Sequence, residues 1–175
     1  MNNQEKNSYV KKQILSALLD MMDGQEFDSI TVSALTERAG VGRASFYRNF
    51  SRKEDVLGQE ADRLTQEWRE EWRRCEPAAP NAFLISLLDF YKRHSEFYLR
   101  LYQAGLSEII LGTILKNAEI TPELPNAAAY LQSAMAYMVY GWVIEWIRRG
   151  MQESGTELAR MIANAQAKTT GRREE

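Results

Sequence analysis

The chain has 175 residues, of which 45% are hydrophobic and 26% charged, a balance typical of a globular protein that can bury a core. A single cysteine (Cys75) and a single histidine (His94) argue against a disulfide framework, a structural zinc site and a Cys–His catalytic pair. No stretch approaches the roughly 18 apolar residues of a membrane span, so the sequence predicts a cytoplasmic protein without metal, cofactor or membrane partner.

The first third of the chain has the periodicity of short helices. Apolar residues recur at helical spacing from Val10 to Met22, and the pattern breaks at Asp23-Gly24. Thr31 is predicted to cap a second helix, with Gly40 as the left-handed residue that ends it. The inner stripe of that helix is expected at Val32, Leu35 and Ala39.

A third short helix begins near Gly42 and carries Phe46 and Phe50 on one face, opposite Arg43 and Tyr47. Between Ile30 and Lys53 there are five cations against one anion, a local charge of +4 in a chain whose net charge is −2. These residues are Arg38, Arg43, Arg48, Arg52 and Lys53 against Glu37. Such a cluster is typical of a compact DNA-contacting element, although most charge runs are merely solvated faces.

Longer helices are predicted in the rest of the chain. A capping box, Ser51-x-x-Glu54, opens a helix of about five turns whose apolar stripe runs from Leu57 to Cys75 and stops before Pro77 and Pro80. Three helices follow, over 83–94, 95–104 and 107–117. The next, roughly 126–149, is apolar on more than one side and must be central or meet a partner chain. A second capping box, Ser154-x-x-Glu157, opens the last helix, and no strand or internal repeat is expected.

The stretch FDSITVSALTERAGVGRASFYRNFSRKEDVL resembles the signature of the TetR family of bacterial regulators over about residues 9 to 57. The matching positions are Phe27, Ile30-Thr31-Val32, Ala39-Gly40-Val41, Phe46-Tyr47, Phe50 and Lys53-Glu54. The resemblance implies an all-α fold: an N-terminal three-helix helix-turn-helix DNA-binding domain (1–57), joined by a long helix to a C-terminal helical ligand-binding and dimerisation domain (58–175). Gly42 and Asn49 depart from the commoner Ser and His, so one hydroxyl contact to phosphate is expected to be absent.

The resemblance also implies a set of DNA-binding residues: Thr31, Val32, Gly42, Arg43, Ala44, Ser45, Tyr47, Arg48 and Lys53. Arg43 is the first choice for reading bases, because a guanidinium pairs bidentately with guanine. Thr31 and Tyr47 are expected to position phosphates. Lys53 lies in the first turn of a helix, where the macrodipole disfavours a cation, and a DNA phosphate would relieve that conflict. The alternatives are that Tyr47 closes the small core and that Lys53 is a bystander.

Two further sites are expected in the C-terminal region. Aromatic residues are candidates for an effector pocket, although such stripes are more often plain core; they are Trp68, Trp72, Tyr91, Tyr98, Tyr102 and Trp142. The last two helices are expected to form a four-helix bundle with their symmetry mates. The residues of this dimer interface would be Ala134, Met138, Gly141, Leu158, Met161, Ile162 and Ala165.

The sequence therefore predicts a TetR-like regulator, a repressor that binds a near-palindromic operator in double-stranded DNA as a homodimer and is released by a small-molecule effector. The main alternative is a helical protein-interaction module that has the motif but does not bind an operator. A small helical enzyme is a third class, against which the lack of a metal cluster, phosphate loop or nucleophile–base constellation argues.

Overall fold

A computed structural model of the chain describes residues 3–75 and 81–170, and its regular structure is entirely helical. The predicted all-α fold is confirmed. The helices are α1 (Asn3–Met22), a 3-10 helix (Phe27–Ser29), α2 (Val32–Arg38), α3 (Arg43–Asn49), α4 (Lys53–Arg73), α5 (Ala82–Arg93), α6 (Ser95–Gln103), α7 (Ser107–Asn117), α8 (Asn126–Arg148) and α9 (Gly155–Thr170). Among these residues, no helix combines the length and apolarity needed to cross a membrane.

The local chemistry predicted for α2 is present at both of its ends. The Thr31 hydroxyl oxygen accepts a hydrogen bond from the backbone N–H of Ala34 (3.2 Å). Gly40 has φ +64°, the left-handed conformation that an L residue rarely adopts. The N–H of Val41 then reaches back to the Thr36 carbonyl (3.0 Å), which closes the helix end. This turn fixes where the chain leaves α2 and enters α3.

One small core holds the N-terminal helices together. Its fully buried members come from four helices: Ile14 and Leu18 of α1, Leu35 of α2, Phe46 of α3 and Leu57 of α4. Phe50 is also buried, with its ring centroid 5.5 Å from that of Phe46. Burying side chains of this size stabilises a fold by about 1.5–3 kcal/mol each. The short α3 is therefore fixed by packing, because seven residues form no stable helix alone.

The start of α4 differs from the prediction. The helix begins at Lys53, and the predicted capping box of Ser51 and Glu54 is wrong. The carboxylate of Asp55 instead accepts the backbone N–H groups of Ser51 (2.8 Å) and Arg52 (2.9 Å). With Arg52 as the N-cap residue, the third helical position is Asp55. The helix also ends earlier than expected, so Cys75, predicted on its apolar stripe, lies exposed beyond its end; Pro77 and Pro80 lie outside the described residues.

Helices α5, α6 and α7 lie within one residue of their predicted bounds. Helix α8 ends at Arg148, two residues before Gly150, whose φ of +78° is the left-handed conformation expected of the residue that terminates it. The second capping box is confirmed, since the Glu157 carboxylate accepts the Ser154 N–H (2.9 Å) and the Ser154 hydroxyl accepts the Glu157 N–H (3.2 Å). Helix α7 packs on α4 and α8, while α9 packs on α5. At Gly155 a Cβ would lie 2.8 Å from the backbone nitrogen of Asp89, so α9 requires glycine at this crossing.

Candidate functional sites

The outer face of α3 is polar and exposed. Arg43, Ala44 and Arg48 are exposed, and Ser45 is half-buried. Within residues 3–75 and 81–170, no hydrogen bond or ion pair engages the guanidinium of Arg43 or of Arg48. Each guanidinium has five N–H donors and no acceptor, so both side chains can bind an outside anion or base edge without first breaking an internal contact.

Tyr47 takes part in both the core and the surface. Its ring meets that of Phe46 edge to face, with centroids 5.3 Å apart and planes at 88°. The side chain nevertheless remains 54% exposed. Tyr47 can therefore close the small core and still contact DNA, because the Phe46 ring holds the tyrosine ring in place while about half of the side chain stays exposed.

The C-terminal end of α3 is held by a chain of hydrogen bonds that sequence reasoning missed. Asn49 donates its side-chain amide to the Ser45 carbonyl (2.9 Å), and its own carbonyl accepts from the Gln59 amide (3.1 Å). The Gln59 side-chain oxygen accepts from the ammonium of Lys11 (2.9 Å). Helices α1 and α4 therefore both help to fix the direction of α3. Within α3, the Asn49 side chain adds a hydrogen bond to the backbone.

The residues that lead into α2 and α3 sit at the edge of the same surface. Thr31 is exposed, and its hydroxyl oxygen is occupied as the cap of α2 while its O–H proton remains free to donate. Val32 is half-buried. Gly42 has extended backbone (φ −73°, ψ 145°) and caps α3 without a side-chain hydrogen bond. Thr31 and Gly42 thus directly precede α2 and α3, and Val32 is the first residue of α2.

Lys53 has partners inside the chain. Its ammonium donates to the carbonyls of Phe27 (2.5 Å) and Ile30 (3.0 Å) and lies 4.3 Å from the centroid of the Phe27 ring. Two carbonyl dipoles and an aromatic face therefore relieve the conflict between this cation and the N-terminus of α4. A phosphate is not needed to explain the residue, and a DNA contact from Lys53 stays a prediction.

Residues 14–59 match the sequence profile of the bacterial regulatory proteins of the tetR family. These residues therefore form a tetR-family helix-turn-helix region. The match confirms, over these residues, the resemblance drawn from the motif.

Solved structures share the fold over nearly the whole chain. A protein of Listeria innocua, Lin0861, superposes with a TM-score of 0.75 over 95% of this chain and 94% of its own, at 17% identity. A protein of Syntrophomonas wolfei, described as a TetR-family transcriptional regulator, gives 0.58 over 92% of both chains at 16% identity. The fatty acid degradation regulator FadR of Bacillus halodurans gives 0.50 over 86% of this chain and 94% of its own, at 17% identity. No curated relative matches the chain.

The C-terminal region contains a cleft of about 360 Å³ between α4, α5, α7 and α8. Three of the predicted aromatics, Trp68, Trp72 and Tyr91, line it, and the Trp68 indole N–H donates to the Ser86 hydroxyl (2.9 Å). Its other walls are mainly apolar: Phe83, Leu87, Ile114, Met135, Ala136 and Val139. The volume and the apolar walls fit a small organic ligand.

The remaining three predicted pocket residues do not line this cleft. Tyr98 is fully buried against Tyr91, with ring centroids 4.6 Å apart, and burial raises its pKa far above the usual range of a tyrosine. Tyr102 and Trp142 are half-buried elsewhere. Tyr98 therefore belongs to the core, where an aromatic pair adds to the packing of α5 on α6.

The polar edge of the cleft carries charges that are already paired. Arg69 donates one guanidinium nitrogen to the side-chain oxygen of Asn117 (2.9 Å) and another to the carboxylate of Glu119. The Asn117 amide donates in turn to the Thr113 carbonyl (2.7 Å). Because this cation has an anionic partner, the cleft offers a ligand mainly apolar surface.

One side of α8 is apolar yet uncovered in the single chain. We call it the open face of α8, and it comprises Tyr130, Leu131, Ala134, Tyr137, Met138 and Gly141, all exposed. The predicted interface residues Ala134, Met138 and Gly141 lie on it. On α9, Met161 and Ala165 are exposed, whereas Leu158 and Ile162 are half-buried. Every predicted interface residue is thus at least partly accessible to a second molecule.

One ion pair between the two halves of the chain was missed by the sequence analysis. At the end of α1, the Asp23 carboxylate accepts two hydrogen bonds from the Arg100 guanidinium of α6 (2.7 and 2.8 Å). These hydrogen bonds hold the pKa of Asp23 below its ordinary value. No local signal could have shown this contact, since 77 residues separate the partners.

The single histidine and the single cysteine have ordinary surroundings. His94 lies half-buried between α5 and α6, 5.2 Å from the Phe90 ring, and burial together with Arg93 lowers its pKa, so the imidazole is neutral at pH 7. Cys75 is an exposed free thiol. Among the described residues there is no group of three or more His, Cys, Asp or Glu side chains arranged to hold a metal ion.

Proposed function

We propose that this chain is a TetR-family repressor that binds a near-palindromic operator as a homodimer, through α3 in the major groove. The observation that carries the proposal is the outer face of α3. The Arg43 and Arg48 guanidiniums there have no partner among residues 3–75 and 81–170, and the exposed Tyr47 stands beside them, on a helix held by the buried Phe46 and Phe50 rings. A recognition helix needs this combination of a rigid mounting and an exposed polar face. Its DNA-binding domain would comprise residues 1–57, since Leu57 still belongs to the N-terminal core.

The roles of individual side chains follow from their exposure and partners. Arg43, at the N-terminal end of α3, would read a base edge, because this end of a recognition helix enters the groove first. Arg48, Tyr47 and Thr31 would bind phosphates and set the register. Val32, Gly42, Ala44 and Ser45 would allow the backbone to approach closely. Lys53 uses two of its three ammonium protons on carbonyls, which leaves one for a phosphate.

Dimerisation would bury the open face of α8 and the exposed stripe of α9. Tyr130 is 72% exposed and Met161 52% exposed in the single chain, and contiguous apolar surface of this kind marks an interaction site. Members of the family usually dimerise. A two-fold axis through α8 and α9 would present two copies of α3 to DNA, which is why the operator should be nearly palindromic.

The cleft between α4, α5, α7 and α8 would hold the effector, a small and mainly apolar molecule. Its walls include α4, the same helix that carries Lys53 and Leu57 at the edge of the DNA-binding unit. A ligand that shifts α4 would therefore change the spacing of the two α3 helices. Such a shift releases DNA only if the ligand prefers the non-binding arrangement.

Selection of DNA from a random duplex pool by the purified protein tests the proposal. We expect enrichment of one sequence with two inverted half-sites, and loss of the enrichment with the double variant Arg43→Ala, Arg48→Ala. The control is the surface variant Arg93→Ala, far along the chain from α3, which should select the same sequence. Recovery of only random sequences by the wild-type protein would contradict operator binding and favour a helical protein-interaction module.

A further inference from the structure

Each of the four helices that form the cleft contributes at least one uncharged polar side chain to its wall. Those with no charged partner are Thr65 of α4, Tyr91 of α5, Thr113 of α7 and Gln132 of α8. Thr65, Tyr91 and Thr113 are buried, with at most 5% of each residue exposed, and Gln132 is half-buried. The mainly apolar cleft therefore includes polar groups from every helix that encloses it.

The two threonines of the cleft can offer a ligand only hydrogen-bond acceptors. The Thr65 hydroxyl donates its proton to the Ala61 carbonyl (2.8 Å), and the Thr113 hydroxyl donates to the Ile109 carbonyl (2.9 Å). A hydroxyl has a single proton, so each threonine oxygen has only lone pairs left. A ligand that binds either oxygen must therefore bring an N–H or O–H group of its own.

The other two polar groups of the cleft lack a hydrogen-bonding partner. Within residues 3–75 and 81–170, the side-chain oxygen of Gln132 is buried without a partner, and the Tyr91 hydroxyl forms no hydrogen bond. Burial raises the pKa of the Tyr91 hydroxyl well above its usual value, so this group stays protonated and can donate. Because a buried polar group without a partner is costly, a ligand that supplies the partner gains affinity.

The charges at the cleft already neutralise each other. Among the described residues that line it, Arg69 and Glu119 carry charge, and the guanidinium donates a hydrogen bond to the carboxylate. An anionic ligand would have to displace Glu119 from Arg69, and a cationic ligand would have to draw Glu119 away from it. Either exchange leaves a charge unpaired beside an apolar cleft, which is costly. The cleft therefore disfavours a charged ligand.

We propose that the cleft selects an uncharged ligand with an apolar body and an amide-type group, whose N–H donates to Gln132 and whose carbonyl accepts from Tyr91. The threonine oxygens accept any further donor of the ligand. The proposal rests on the effector site proposed above and names the chemistry of the molecule that fits it. Water that fills these positions in the free protein is displaced without loss only by a group that makes the same hydrogen bonds.

Four probes with the same apolar body test the proposal: para-butylbenzamide, para-butylbenzoate, para-butylbenzylamine and butylbenzene. They differ only at one end, which carries a neutral amide, an anion, a cation or no polar group. Binding to the full chain is followed by tryptophan fluorescence, since Trp68 and Trp72 line the cleft, and by calorimetry. We expect the amide to bind about tenfold or more tightly than either charged probe, because only the charged ends must break the Arg69 pair.

Two variants remove the hydrogen-bonding atoms and nearly keep the side-chain size, Gln132→Met and Tyr91→Phe. Each should weaken binding of the amide by about five- to tenfold and leave the affinity for butylbenzene within about twofold. Both variants should fold, since neither atom has a partner to lose among the described residues. The matched control is Tyr98→Phe: its hydroxyl is also buried without a partner, but the residue does not line the cleft, so amide binding should not change.

The outcomes separate this proposal from the one on which it rests. Equal changes in the affinities for amide and butylbenzene would overturn the hydrogen bonds and keep the cleft as a site for apolar ligands. Tighter binding of a charged probe than of the amide would overturn the selection of an uncharged group. If none of the four probes bound, the inference would fail together with the effector site, whereas the selection of DNA described above decides operator binding independently.

Discussion

The N-terminal and C-terminal regions differ in which apolar side chains they leave exposed. Before residue 58, Tyr9 and Tyr47 are the exposed large hydrophobic side chains among the described residues, and both are amphipathic tyrosines. After it, the exposed set includes leucine, isoleucine, methionine, phenylalanine and tyrosine side chains, most of them on α8. The N-terminal region thus has a mainly polar surface as a single chain. The C-terminal region exposes apolar surface of a kind that a monomeric soluble protein rarely shows.

This difference indicates where the two regions find their partners. A polar face with unpaired cations suits a phosphate backbone, whose binding is dominated by charge. An uncovered apolar face and an apolar cleft suit another protein chain and a small molecule, whose burial is driven by the hydrophobic effect. Altering the polar face of the N-terminal region should therefore impair DNA contacts directly, whereas altering the apolar surface of the C-terminal region should impair dimerisation.

The largest effect is expected from charge placed on the apolar surface of the C-terminal region. The double variant Leu158→Glu, Met161→Glu should become a monomer by light scattering, because unpaired charge in a desolvated interface is costly. Operator affinity should fall by about a thousandfold or more, since a single half-site binds little better than random DNA. Because Leu158 also packs on the core, Met138→Glu with Met161→Glu gives the same test with less risk to folding.

The control for this variant is Thr156→Glu, which places one such charge at an exposed position of α9 outside the predicted interface. It should remain a dimer and bind DNA normally. A double variant that stays dimeric with normal operator affinity would place the interface elsewhere and remove the distinction between the two regions.

A smaller effect is expected from the polar face of α3. Arg43→Ala should weaken operator binding by about 1–3 kcal/mol and relax the base preference at one position in each half-site. The fold should be unaffected, because the side chain is exposed and has no partner within the described residues. Affinities for the operator and for single-base variants of it measure both effects. An unchanged base preference would show that Arg43 does not read the sequence.

Substitution of Lys53 tests whether an ammonium group that is already hydrogen-bonded within the chain also contributes to DNA binding. Lys53→Met keeps the length of the side chain beside Phe27 and removes the ammonium. Affinity for all DNA sequences should fall similarly, and the slope of log affinity against log salt should become less steep by about one unit. The unfolding free energy should also fall by about 1–3 kcal/mol, since two charge-assisted hydrogen bonds to carbonyls are lost. Reduced stability with an unchanged slope would show a purely structural role.

The smallest effect concerns the ion pair between the two regions. The Arg100 guanidinium lowers the pKa of Asp23 from its ordinary 3.8, so this carboxylate stabilises the fold above that pH and loses its contribution as the pH falls through the lowered value. The stability difference between wild type and Asp23→Asn should therefore shrink in acid. Asp20→Asn, which removes an exposed charge three residues earlier, in α1, is the control. A difference that does not change with pH would show that the pair contributes nothing.

Local chemistry is what could be predicted from the sequence. Thr31 and Gly40 act within four or five residues of themselves, so their roles as cap and left-handed turn follow from residue type and spacing alone. Which of two neighbouring carboxylates, Glu54 or Asp55, caps the start of α4 could not be predicted in this way. Asp55 prevails over Glu54 because α4 starts at Lys53, where the lysine is held by Phe27 and Ile30, more than 20 residues away along the chain.

The cleft could be predicted only in part, for a related reason. Tyr91 and Tyr98 are seven residues apart on adjoining helices, look alike in the sequence and are both buried, yet only Tyr91 lines the cleft. The order in which α4, α5, α7 and α8 pack decides between them, and no pattern within one helix encodes that order. The contact of Asp23 with Arg100 and the hydrogen bond from Lys11 to Gln59 were missed because they too depend on this packing.

The central claim is that a dimer presents the outer face of α3 twice to one duplex. Hydroxyl-radical footprinting of the purified protein on its selected DNA tests this most directly. We expect two protected segments related by a two-fold axis, with centres about 10–10.5 base pairs apart or a multiple of this spacing, and their loss with Arg43→Ala, Arg48→Ala. A single protected segment, or protection that does not depend on Arg43 and Arg48, would contradict the account.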